Sequence, residues 1–145
     1  MNDKRIYSIL AMAGVTPFVA CAVLPLAGVD SIAPLGPLAQ VAASYGLAIV
    51  SFLTGIHWAT QLYDRQQTGF NLLIASNVIF VGVWLAYVLG SLAIALTAQL
   101  VALLVLLGID RWLWSYGVIT AHYYRTRSAA TTLAALSLIG LLLTL

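Results

Sequence analysis

The chain has no glutamate, a single cysteine, and only 7% charged residues over its 145 positions. Soluble domains carry about 25% charged residues, so this composition cannot cover a water-exposed globule with polar surface. The lone Cys21 excludes an intrachain disulfide and a cysteine-based metal cluster. Missing glutamate removes the commonest carboxylate for proton-coupled transport, and the remaining Asp residues offer no recognisable metal-ligand spacing. Basic residues never run to five, and the net charge is +2, which leaves no electrostatic surface for nucleic acid.

Hydrophobic residues are present in excess, at 63%, and the mean hydropathy is +1.04. Five apolar stretches of roughly spanning length fit the chain, at about 6–26, 38–62, 71–89, 92–109 and 128–145. The fold class expected is all-α: one membrane domain over 1–145, a bundle of five transmembrane helices. The first stretch follows Asp3, Lys4 and Arg5 and superficially resembles a secretory signal, with Phe18-Val19-Ala20-Cys21 approaching a lipoprotein cleavage box. Its apolar character continues through Ala22-Val23-Leu24, so it reads as a retained helix, kinked at Pro17. Asp30 and two prolines form the first loop, and Gly90-Ser91 divides the third span from the fourth. The last span is short unless its first turn begins near His122.

With five crossings, Lys4, Arg5, Arg65, Arg111, Arg125 and Arg127 all fall on one side, and the other side carries only Asp30. The positive-inside rule then places the amino terminus in the cytoplasm and the carboxyl terminus outside a bacterial inner membrane.

Polar residues gather toward the basic side. Thr54, His57 and Gln61 lie within about 60° of one another on the second span, away from the small-residue stripe Ser51, Gly55 and Ala59. Asn71, Ser76 and Asn77 open the third span, and Tyr123, Arg127 and Thr131 share one face of the last. Asp110 and Arg127 are the natural ion pair, since an unpaired charge in hydrocarbon costs about 2.5 kcal/mol or more. The cluster either ties helix ends together or forms a pocket for an amphipathic ligand, with His57, Thr54, Gln61, Trp58, Asn77, Tyr123 and Arg127 as its candidate lining. No catalytic constellation and no metal site is evident. His57 with His122 makes a bis-histidine haem topologically feasible, although His122 beside Tyr123 and Tyr124 also reads as an interfacial residue. The segment Trp112–Tyr124 carries five aromatics. It reads as a short interfacial helix before the last span, or as a contact surface for a partner membrane subunit.

Three blocks carry a resemblance. Gly14-Val15-Thr16-Pro17-Phe18, Ser51-Phe52-Leu53-Thr54-Gly55-Ile56-His57-Trp58 and Tyr123-x-x-x-Arg127-x-x-x-Thr131 resemble the domain-of-unknown-function family that includes the mitochondrial transmembrane protein sixty-nine. Ala59 stands where that family usually has Gly, and His122 where it has Trp. The resemblance implies a helical protein of bacterial or mitochondrial inner membranes and highlights Pro17, His57, Trp58, Tyr123 and Arg127. It implies no activity, substrate or cofactor. The function expected from the residues is a binding or accessory role: holding a lipid, quinone or similar amphipathic molecule, or serving as a subunit or assembly factor of a membrane complex. A small transporter or channel is the first alternative, and a haem-binding or other redox protein the second.

Overall fold

Pro17 has no amide proton to offer the carbonyl four residues back, and the first span breaks at that point. The computed structural model, which describes residues 3–63 and 69–145, ends α1 (Asp3–Ala13) there and restarts the chain as α2 (Thr16–Val23). Thr16 Oγ1 donates to the stranded Ala13 carbonyl at 2.7 Å. The Tyr45 hydroxyl, from the next span, donates to the Gly14 carbonyl at 2.8 Å. The kink expected at Pro17 is therefore a full break over Gly14-Val15, where the Ala13 and Gly14 carbonyls are taken up by side-chain hydroxyls.

A 3₁₀ turn (Leu24–Ala27) completes the first crossing, Asp3–Ala27. The following loop folds into a small antiparallel hairpin, β1 (Ser31–Ile32) with β2 (Gly36–Pro37), in the register Ser31↔Pro37 and Ile32↔Gly36. The remaining crossings are α3 (Leu38–Tyr63), α4 (Leu72–Leu89), α5 (Leu92–Ser115) and α6 (Ala121–Thr144). Local sequence sets their starts. Asn71 Oδ1 accepts from Leu73 N and Ile74 N, Ser91 Oγ from Ile94 N, and Thr120 Oγ1 from Tyr123 N, each satisfying amides that a helix start leaves free. Arg65 and Gln66, with the rest of 64–68, lie outside the described residues.

Two boundaries differ from the sequence reading. Helix α5 continues six residues past Ile109, because the Asp110 charge that ends the apolar run is neutralised inside the bundle and does not interrupt the backbone ladder. It stops before Gly117, which takes φ +74, a backbone conformation that favours glycine. Helix α6 starts at Ala121, so residues 111–124 are divided between two spans and form no separate interfacial helix.

Helices α3 and α5 pack on each other and both touch α4, while α6 packs on α5, α2 and α1. The core between them includes Phe18, Val50, Leu96, Leu103, Leu106 and Leu138. Outward-facing Leu10, Phe52, Ile74, Val78, Leu104 and Leu136 are each more than half exposed, as expected of surfaces meeting acyl chains. Contacts gather the described basic residues at one end: the His122 ring touches Ser8 and the Lys4 carbonyl, and Phe70 meets Trp112. Trp114 stacks on Tyr124 at the same end, with centroids 5.0 Å apart. Asp30 belongs to the hairpin loop at the opposite end, where its carbonyl accepts from Leu38 N.

Candidate ligand-binding site

Asp110 is 1% exposed, and a carboxylate so deep must be paired to remain ionised. Each of its oxygens has a partner from a different helix. Oδ1 accepts from His57 Nε2 of α3 at 2.9 Å, and Oδ2 accepts from Arg127 Nε of α6 at 3.0 Å. The carboxylate thus links α3, α5 and α6 at the basic end of the bundle. His57 Nδ1 is buried and has no hydrogen-bond partner, so no described hydroxyl or thiol is poised there as an activated nucleophile.

Arg127 faces two ways. Its Nε engages Asp110, whereas its Nη nitrogens make no hydrogen bond to another described residue. The side chain forms part of the wall of a cavity of about 300 Å³ bounded by α1, α2, α3, α5 and α6, at the lower end of the size range of small-molecule sites. The cavity has two distinct ends. Tyr7, Tyr123, Arg127 and Thr131 supply its polar end, while Phe18, Leu103 and Ala134 close the other with hydrocarbon. Tyr7 and Tyr123 stack at 5.0 Å between centroids and 19° between planes, forming a flat wall beside the guanidinium. Its mouth includes Leu10 and Phe52, 65% and 66% exposed, so it opens laterally toward the bilayer between α1 and α3.

Two hydroxyls at the polar end are anomalous. Hydroxyls in apolar helices usually bond a preceding carbonyl, as Thr132 does to Ser128 and Ser137 to Leu133. Thr131 Oγ1 and the Tyr7 hydroxyl oxygen are buried without any partner. Leaving such a group unsatisfied costs about 1–3 kcal/mol.

The expected single pocket is divided by the structure. His57, Arg127 and Tyr123 come together through Asp110 and the cavity wall, but His57 stands behind Arg127 and does not line the cavity. Thr54, Trp58 and Asn77 line a separate groove of about 210 Å³ between α3 and α4. Thr54 is turned there by its bond to the Ser51 carbonyl, and Asn77 by its bond to Leu73. Gln61 serves neither site, since its Oε1 accepts from Leu72 N at 3.0 Å and caps α4. His122 sits about 140° around α6 from Arg127, with Nε2 near Ser8 Oγ at 2.9 Å and the Lys4 carbonyl at 3.1 Å. Among the described residues no three His, Cys, Asp or Glu gather at one point.

Tyr7 and Gln99 were absent from the sequence-derived site. Tyr7 follows the charged run Asp3-Lys4-Arg5 and so reads as an ordinary interfacial tyrosine. Gln99, in contrast, is the only amide in a long apolar run and so must face protein. It is fully buried, and its Nε2 donates to the Ala43 carbonyl at 2.6 Å, beside Gly46.

Five helices long and apolar enough to cross a membrane, packed around a buried ionic cluster, define a multi-pass helical membrane protein. The chain belongs to DUF3429, a protein family of unknown function whose model matches residues 4–143. No curated protein and no solved structure matches it.

Proposed function

We propose that the protein binds an amphipathic molecule drawn sideways from the bilayer, a lipid or a quinone, in the cavity beside Arg127. The observation that carries this reading is the cavity's polarity: guanidinium N–H groups without a hydrogen-bond partner among the described residues and two unpartnered buried hydroxyls at one end, hydrocarbon at the other, and a lateral mouth. Such a molecule satisfies the polar atoms with its head and fills the apolar end with its tail. Asp110 holds Arg127 in place, and His57 steadies Asp110 from behind. A transport path fits less well, because the lining beyond Thr131 is apolar and Gln99, farther along α5, is tied to Ala43. Haem ligation is not favoured either, since the Nε2 atoms of His57 and His122 are engaged in hydrogen bonds on different faces of the bundle.

The setting we infer is a bacterial inner membrane, with the basic end cytoplasmic; the stacked Trp114–Tyr124 pair at that end suits a headgroup layer. Kinship with the mitochondrial transmembrane protein sixty-nine belongs to the same proposal. So does an accessory role, in which the exposed rings of Trp114 and Tyr116 meet a partner subunit.

The test is native mass spectrometry of protein extracted directly into lipid nanodiscs. Wild-type protein should carry a bound amphiphile that survives desolvation, and Ala130→Phe, which fills the cavity, should release it. An empty wild-type protein, or equal retention by the filled variant, counts against the reading.

A further inference from the structure

The donors and acceptors around the cavity are distributed unevenly enough to specify the head. At the polar end stands Arg127, whose Nη groups only donate, and enclosed beside it are the unpartnered hydroxyls of Tyr7 and Thr131, which both donate and accept. Among the described residues no carboxylate or amide side chain lines the same space, because Asp110 is on the far side of Arg127 and lies outside the cavity lining. Against Phe18, Leu103 and Ala134 no lining side chain among the described residues carries a donor.

We propose that the occupant is a single-chain carboxylic acid, a fatty acid in chemical class, bound with its carboxyl group against Arg127, Tyr7 and Thr131. This rests on the reading of the cavity as an amphiphile site and names its ligand class. A carboxyl group concentrates both oxygens at one end of the molecule, where all the donors are. A para-quinone carries its two carbonyls on opposite edges of the ring, so that one of them would meet no side-chain donor. The guanidinium offers a carboxylate two parallel N–H bonds from the edge that Asp110 does not use. If the head binds protonated, the hydroxyls can accept its O–H, so the site satisfies either form. Volume limits the chain count: about 300 Å³ admits a head and the start of one chain, with the remainder leaving past Leu10 and Phe52 into the bilayer.

Because the Tyr7 and Thr131 hydroxyls bond no described residue, they can be removed without taking a known hydrogen bond from the fold. Tritiated decanoic acid is the probe, offered to the full chain in phosphatidylcholine nanodiscs. Methyl decanoate, decanol and decyl-benzoquinone act as competitors. The proposal expects saturable binding of the acid and at least about tenfold weaker competition by ester, alcohol and quinone, the loss of one charge-assisted hydrogen bond. Tyr7→Phe combined with Thr131→Val should bind the acid at least about tenfold more weakly while melting at or above the wild-type temperature without probe. Competition by the alcohol, ester or quinone as strong as by the acid overturns the carboxyl assignment and leaves the amphiphile site standing. Absence of saturable binding by all four compounds, with no co-purifying amphiphile, overturns both. Saturable acid binding that persists unchanged in Ala134→Phe overturns the placement in this cavity.

Discussion

His57 and Asp110, 53 residues apart in the chain, share a buried 2.9 Å hydrogen bond that joins the second span to the fourth. Since the other Asp110 oxygen holds Arg127, loss of the carboxylate strands two partners at once. Asp110→Asn should therefore be the most damaging change in the cluster, costing about 3–5 kcal/mol as for other broken buried pairs. Arg127→Gln should cost less than that, and the double change should recover part of the combined loss. Unfolding of the three variants in detergent checks the order. Strictly additive losses would mean that the two side chains are not energetically coupled.

His57 stands one residue removed from the cavity, and its own replacement should separate stability from binding. His57→Ala removes one hydrogen bond to a charged group and should lower stability by about 1–3 kcal/mol. Retained amphiphile should fall only as far as Arg127 loses its position, and His57→Gln, which can restore the bond to Asp110, should recover both. Loss of bound amphiphile in His57→Ala with stability unchanged would instead make His57 a direct ligand-binding residue.

Gln99 and Gly46 make a second interhelical lock, nearer the opposite end. A Cβ on Gly46 would overlap Gln99 Oε1, in a place where the amide is already fixed to Ala43. Gly46→Ala should destabilise the protein by about 1–3 kcal/mol, the usual range for overpacking. Adding Gln99→Ala should relieve the overlap, so the double variant should melt above Gly46→Ala alone. A neutral Gly46→Ala would show that the amide moves aside freely.

Orientation has its own test. With buried Cys21 replaced by alanine, cysteine introduced at Ser115 should label only from the cytoplasmic side, and cysteine at Ser31 only from outside. Reversed labelling would turn the basic end outward.

The spans were legible because hydrocarbon length and loop chemistry act locally. Asn71, Ser91 and the Asp30 loop mark boundaries that the structure keeps within a residue or two. Sequence boundaries differ from the structure where a charge reads as the end of a helix. Asp110 ends an apolar run, yet the helix continues, because Arg127 neutralises that charge and His57 hydrogen-bonds it from another helix. The pairing of Asp110 with Arg127 follows from the cost of lone charges. The division of the remaining polar residues between two cavities does not, since it depends on small rotations of α3 that no local pattern records. Thr54 and His57 are three residues apart, but Thr54 turns toward α4 and His57 toward α5. Tyr7 acquires its role only through stacking on Tyr123 from the far end of the chain.

The most direct measurement of the central claim is a crystal structure grown in a lipid mesophase from protein never exposed to delipidating detergent. The account predicts elongated non-protein density in the cavity, its polar end within hydrogen-bond distance of Arg127 and the Tyr7 hydroxyl and its tail leaving past Leu10 and Phe52. A cavity closed by side chains, or holding only water at Arg127, would contradict it.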